Sequence, residues 1–364
     1  MQVIDCATRR NNGSSAEYAT RNQVCSRHVL VFGQDFQRLI SSLTVGVVCV
    51  GGLGSIIAEQ LMRLYPKKLV LIDNDVVELS NLNRLVGATL TDARLGTKKV
   101  DLVHRNVLSF NPDQDIVAIH GDFLLKSNQE RLKECDFVFG ATDSNAVRHA
   151  ANRLCLAHGI PYLDCGVGAN VIEGKLVSAG GQVILVQPDS GFCLHCSGWF
   201  PMRDSISEFS TTEEQGRQQN QGYIRGTNVA APQVYQLNMM VASWAVWLFM
   251  RLVAGEQFDI DGISINALDL TACPWKGDRT TENNCPTCGR GGVTFSGDSV
   301  DLLAKEESES EVFPAPSPVE PVRKSGYVLT HAVAAFWSAA PTYTGIVVGD
   351  DYSGQFDLRP RLFM

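Results

Sequence analysis

Cys49–Gln60 reads CVGGLGSIIAEQ, and the fold turns on how that stretch is understood. It overlaps the apolar run VGVVCV (45–50), short enough for a buried strand. It then leads into apolar residues at Ile56, Ile57, Leu61 and Leu64, the spacing of a helix. Glycines between a buried strand and a helix let the backbone approach a phosphate, and the first helical turn offers it unpaired N–H groups. Gly51, Gly52 and Gly54 are therefore the candidate nucleotide turn. A dinucleotide fingerprint would carry glycine where Cys49 stands. The letters of the turn alone do not choose among NAD, FAD and ATP.

The pattern repeats outward from the turn. KLVLID (68–73), DIVAIH (115–120), DFVFGAT (136–142) and IPYLDC (160–165) read as strands, separated by helical segments near 96–107 and 145–159. Strands bracketed by helices in this way predict an α/β fold, a Rossmann-like, mostly parallel sheet flanked by helices. After Gly168 the period shortens, and VIEGKLVSAGGQVILVQP (171–188) predicts an extension by antiparallel strands. The expected organisation is an N-terminal extension (1–24), one main domain (25–290) with a long loop at 198–228, an acidic, proline-rich linker (291–325) and a small C-terminal appendage (326–364).

The chain has 364 residues, a formal net charge of −8, 45% apolar and 19% charged residues. The acidic balance argues against nucleic acid as a partner, since phosphate backbones need a basic surface. No secretory leader is read at the N-terminus. Leu237–Val253 is nearly free of charge, but an α/β body surrounds it, so a buried helix at a core or dimer interface is expected rather than a membrane span. Cys49, Cys135, Cys155 and Cys165 stand singly in apolar or helical segments, as reduced thiols do, which predicts a cytoplasmic protein.

Candidate chemistry lies beyond the turn. Asp73 ends the second strand, where a carboxylate accepts hydrogen bonds from ribose hydroxyls. Arg84 and Lys98 follow, two cations that can neutralise a triphosphate or simply be solvated. Asp143 follows another strand end, placed to hold Mg²⁺ against phosphate oxygens or to cap the helix that follows. Cys193-Leu-His-Cys196 and Cys285-Pro-Thr-Cys288 are two CxxC knuckles, together a four-thiolate shell for structural Zn²⁺. His195 is left out of that shell, and a dithiol redox pair is the alternative.

GGLG, LIDNDVVELSNLNR, the LGTKK lysine, ATDSNAVR and the pair CLHC and CPTC occur here in one order. With them, the chain from about Arg27 to Asn228 resembles the ThiF/MoeB/HesA family, the E1-like adenylyltransferases that activate ubiquitin-like proteins. The resemblance implies that Asp73 binds the ATP ribose, that Asn81, Arg84 and Lys98 contact phosphates, and that Asp143 organises Mg²⁺. It also implies a homodimer in which Arg27 reaches the partner's ATP. Two positions depart from the family: Cys49 stands for a glycine, and Leu85 for the glutamine after the arginine of SNLNR. The implied reaction is adenylation of the C-terminal carboxylate of a ubiquitin-like protein, with release of pyrophosphate. A ribosomal peptide precursor is the alternative substrate, a non-catalytic binding scaffold or an NAD-dependent oxidoreductase an alternative function. Family members that go on to a thioester use a cysteine in or beyond the long loop; here Cys273 and Cys25 are the nearest, and adenylation without a stable thioester is expected.

Overall fold

Each strand of the central sheet alternates its side chains between two helical layers, and both layers are apolar. Val45, Val47, Leu69, Leu71, Phe137 and Phe139 meet one layer, while Val48, Val70, Ile72 and Val138 meet the other. That is why VGVVCV reads as an unbroken apolar run: a strand covered on both faces has no polar side to show. The computed structural model describes residues 23–200, 233–277 and 284–305.

Five parallel strands come first: β1 (Thr44–Val48), β2 (Lys68–Asp73), β3 (Asp115–His120), β4 (Phe137–Gly140) and β5 (Tyr162–Ile172). β6 (Lys175–Val186), β7 (Gly262–Asn266) and β8 (Thr271–Trp275) continue the sheet antiparallel. The order across the sheet is β3-β2-β1-β4-β5-β6-β7-β8. Chain order reverses between β1 and β4, which opens a crevice at the carboxyl ends of these strands, the place where such sheets bind ligands. The expected Rossmann-like sheet with an antiparallel extension is thus what forms. β5 and β6 are joined by a two-residue turn at Glu173 (φ 50°) and Gly174 (φ 76°), the paired positive angles that match strand twist in a tight hairpin.

Among the helices, α1 (Ser26–Ile40) is broken at Gly33, whose φ of 86° is open to glycine at little cost. α2 (Gly52–Met62) follows the glycine turn, and α3 (Leu90–Leu95) is fixed at its start by a reciprocal Thr89–Asp92 capping box. α4 (Lys99–Phe110), α5 (Lys126–Glu130) and α6 (Asn145–Ala157) complete the crossovers. α7 (Leu194–Ser197) carries the first cysteine knuckle, and α8 (Tyr235–Val253) packs beside α2 over β5 and β6.

α8 is long and apolar enough to cross a membrane by length and composition. Here Val241, Ala242, Ala245 and Phe249 enter the core shared with α2, as the expectation of a buried helix required. Its other face is exposed at Met240, Trp244 and Trp247.

The expected linker at 291–325 needs correction at its start. Val293 is buried, Phe295 N–H donates to Leu156 O on α6, and Arg153 Nε donates to Asp301 O. Residues 293–305 therefore run back along the body. Composition misled because this segment is held by backbone hydrogen bonds, which leave no apolar period in a sequence. The remainder of that segment, the appendage at 326–364, nearly all of the loop at 198–228 and all but two residues of the extension at 1–24 lie outside the described residues.

Candidate active site

The glycine turn is built by a collision. Gly54 lies so near the end of β1 that a Cβ there would stand 1.9 Å from the carbonyl oxygen of Cys49. Cys49 itself has φ 66°, the left-handed region that favours glycine, so a cysteine occupies a glycine conformation. Gly52 opens α2 and has its own reason: a Cβ would stand 2.6 Å from Asn238 Nδ2 and 3.0 Å from Arg84 Cδ. The first amide groups of α2 thus face the crevice with no side chain in the way.

The crevice is a cavity of about 460 Å³. Gly51, Gly52, Asp73, Asn81, Arg84 and Asp143 all line it, so the structure brings together six of the residues singled out from the sequence. Asp73 is buried; its Oδ2 accepts from Val50 N–H at 2.7 Å and its Oδ1 from Asp75 N–H at 2.7 Å. Burial pushes this carboxyl above its usual range, and the nearby Lys99 ammonium pulls it back. Arg84 Nη1 donates to Ser80 O at 2.7 Å and to Asn83 Oδ1 at 3.0 Å, which aims the guanidinium along the cleft wall. Asn81 Oδ1 accepts from Glu78 N–H at 3.1 Å.

Three sequence-derived positions fall elsewhere. Gly54 lies beneath the turn rather than in the cavity wall. Arg27 is exposed on α1 and does not line this cleft. Lys98 is exposed at the N-cap of α4, and it is Lys99 that enters the cleft, its Nζ 2.6 Å from Asp75 Oδ2. Lys98 has the non-helical backbone of an N-cap (φ −59°, ψ 136°) while Lys99 opens the helix, so the two side chains leave in different directions and the second lines the cleft.

Asp143 is exposed at the cleft just after β4. Ser144 caps α6 instead, its Oγ accepting from Val147 N–H at 3.1 Å, so the capping alternative for Asp143 does not hold. The loop before Asp143 is anchored from below by Arg148, which sequence reading left unassigned. Arg148 is buried, pairs with Asp164 and donates from Nη2 to Thr142 O at 2.6 Å. Tyr162 Oη donates to the same Asp164 at 2.9 Å.

Among the described residues the cysteines lining this cleft are Cys49 and Cys165, and burial holds both thiols above their usual range. Burial, with Asp73 next in weight, pushes the Cys49 thiol up to about 12, so it stays protonated. Cys25 is buried and Cys273 is exposed on β8; neither lines the cavity.

Cys193, Cys196, Cys285 and Cys288 converge with their four sulfurs all within 4.8 Å of one another. Measured edges are 3.9 Å (Cys193–Cys196), 3.8 Å (Cys193–Cys285) and 3.4 Å (Cys196–Cys288). A tetrahedral zinc with bonds of about 2.3 Å would give sulfur–sulfur edges of roughly 3.8 Å, so the set fits that ion. Thr287 N–H and Cys288 N–H both point at Cys285 Sγ, at 3.4 and 3.5 Å, which stabilises a thiolate there. Asn152 Oδ1 on α6 accepts from Leu194 N–H at 3.1 Å, seating the first knuckle on the main body. All four ligands come from the protein, so the site is closed and structural.

The ThiF family matches residues 25–305. Among curated proteins, the chain is 29% identical over 296 residues to the SAMP-activating enzyme E1 of Haloferax volcanii, covering 80% of this chain and 96% of that one. It is 30% identical over 193 residues to ubiquitin-like modifier-activating enzyme 5 of Drosophila willistoni, covering 50% of this chain but only 45% of the relative. Among solved structures, E. coli MccB with ATP superposes with a TM-score of 0.58 at 17% identity, covering 74% of this chain and 75% of MccB.

Three outcomes test this geometry. Cys49→Gly relieves a left-handed cysteine, a gain offset by glycine's larger unfolded-state entropy and the lost side-chain packing, and is expected to leave unfolding free energy within about 1 kcal/mol of wild type in urea titration, with nucleotide binding kept. Gly54→Ala, by contrast, should prevent the turn from closing. Cys285→Ser is expected to abolish bound zinc in metal analysis and to lower the melting temperature, because the ion's binding energy contributes to folding.

Proposed function

The chain belongs to the ThiF family and is an ATP-dependent adenylyltransferase of the E1 type, and we propose that it activates the C-terminal carboxylate of a ribosomally made polypeptide as an acyl-adenylate. The observation that carries this reading is one cleft holding the α2 N-terminus, Asp73, Arg84, Lys99 and Asp143. A carboxylate oxygen attacks the α-phosphorus of ATP and forms a new O–P bond. The bond from that phosphorus to the bridging oxygen breaks, and pyrophosphate leaves with the electron pair. The nucleophile is already ionised, so positioning and charge stabilisation suffice and no general base is required.

In this proposal Asp73 holds the ribose, and Asn81, Arg84 and Lys99 face the phosphates, with Lys99 in the role first assigned to Lys98. Asp143, exposed and unused as a cap, fits a Mg²⁺ ligand. When bound, Mg²⁺ would neutralise charge on phosphate oxygens. The substrate we favour is a peptide precursor, supported by the fold shared with MccB, which has been solved in complex with N-formylated MccA. An N-formyl group marks the start of a freshly translated bacterial chain. A ubiquitin-like protein, placed first by the sequence, becomes the second reading; the SAMP-activating relative, covered over 96% of its length, supports it.

The proposal includes a homodimer in the cytoplasm. On α1, Leu30 is 75% exposed and Val31 68%; Trp244 and Trp247 on α8 are exposed too, and the two helices meet where the Phe32 and Trp247 rings are 5.6 Å apart. Such an apolar surface calls for a partner, and Arg27 on the same helix would then reach the second copy's cleft. Trp247→Glu is expected to shift the sedimentation coefficient from dimer to monomer; a wild-type monomer would remove the shared-arginine arrangement.

Exchange of radiolabelled pyrophosphate into ATP, with peptides and glycine-terminated ubiquitin-like proteins as candidates, tests the reaction. One class is expected to support exchange and its C-terminally amidated form to be inert; support by amidated substrates would overturn the reading. Asp143→Ala should lower exchange about 100-fold or more while zinc content stays unchanged. Full exchange in that variant would remove Asp143 from its role.

A further inference from the structure

Asn238 is a buried polar residue in a long, largely apolar helix. It sits on the core-facing side of α8 beside Leu237 and Val241, and it is 1% exposed. Neither Nδ2 nor Oδ1 has a hydrogen-bond partner among the described residues. Buried carboxamides are ordinarily paired, because water is lost to both ends and must be replaced. An unpaired one at a structural position is a defect that leucine or alanine would avoid.

Its surroundings say what replaces the water. Asn238 lines the nucleotide cleft, and Nδ2 lies against the first residue of α2, so close that Gly52 has no room for a Cβ. The methylenes of Arg84 crowd the same Cβ position, Cδ and Cγ each at 3.0 Å. The amide therefore sits at the residue that opens α2, with the Arg84 side chain alongside it and both lining the cleft. Anionic oxygen is the group that three donors of this kind attract together.

We propose that Asn238 is a ligand-binding residue of the adenylation cleft: Nδ2 donates to a phosphate oxygen of ATP, and Oδ1 accepts the N–H of the substrate's terminal residue. A carboxamide offers one donor and one acceptor a fixed distance apart, so one rigid side chain, held by the core of α8, spans both reactants. Such a bridge sets the carboxylate against the α-phosphorus and works by positioning. The Oδ1 contact rests on the polypeptide substrate proposed above; the Nδ2 contact needs only ATP.

Calorimetric titration of the full chain with Mg²⁺ and α,β-methylene-ATP, alongside melting curves without nucleotide, tests the first contact. Asn238→Ala is expected to melt at or above the wild-type temperature and to bind the analogue about five- to tenfold more weakly. Asn238→Asp should weaken binding further, because its charge faces phosphate; it also carries the test should the alanine variant not fold. Affinity within twofold of wild type in either variant would overturn the phosphate contact. For the second contact the probe is N-acetylglycyl-sulfamoyl adenosine, an acyl-adenylate mimic with a peptide N–H. Asn238→Ala should weaken it by a larger factor than the ATP analogue, and an equal factor would overturn the Oδ1 contact. A wild type that binds the ATP analogue but not this mimic would overturn the polypeptide reading and leave the phosphate contact standing.

Discussion

The absence of a side chain at position 54 is the constraint from which the rest follows. Only a bare Cα there lets α2 start against the Cys49 carbonyl, and only that approach turns the helix N-terminus toward the crevice between β1 and β4. Asp73 then locks the arrangement, since its two oxygens hold Val50 on one loop and Asp75 on the next. A buried carboxylate satisfied by backbone N–H groups is costly to disturb. The left-handed cysteine is tolerated because this network over-determines it.

The order of the strands also lays out the chemistry. Moving from β2 through β1 to β4, the strand ends present a carboxylate, then bare amide groups, then a second carboxylate. Cations enter from outside the sheet, Arg84 from the short turn after β2 and Lys99 from α4. α8 closes the cavity from the layer above. Charges of opposite sign are thus delivered by separate elements and meet only in the cleft, where low solvent access strengthens their action on a polyanion.

How much of this was legible follows from what leaves a period in sequence. The sheet, the glycine turn, Asp73 and Asp143 were readable because strand ends are marked by apolar runs that stop abruptly. The cysteine knuckles were readable from spacing alone. Lys99 rather than Lys98 lines the cleft, a one-residue difference that sequence does not resolve because it does not fix where the N-cap of α4 falls. Asn238 is hidden in QLNMMV, where a polar letter in an apolar helix, beside Gln236, gives no clue to the direction it faces. Arg148 was quoted within ATDSNAVR yet unassigned, because its partner Asp164 arrives from the next strand. The course of 293–305 was invisible, being set by hydrogen bonds to backbone carbonyls.

That course has a consequence for synthesis on the ribosome. Lys305 lines the nucleotide cleft, its Nζ 2.7 Å from Asp122 Oδ2 and its N–H 2.7 Å from Leu124 O. It reaches that wall only after Cys285 and Cys288 have returned to the first knuckle and Val293 has packed beneath α6. The core over β1–β5 is completed by β6, α8 and β7, and the cleft wall by Lys305 further on, so the last piece of the binding wall is made after the last piece of that core. Residues that line the cleft run from Cys49 to Lys305, so the nucleotide site is whole only when nearly all of the described chain has been made.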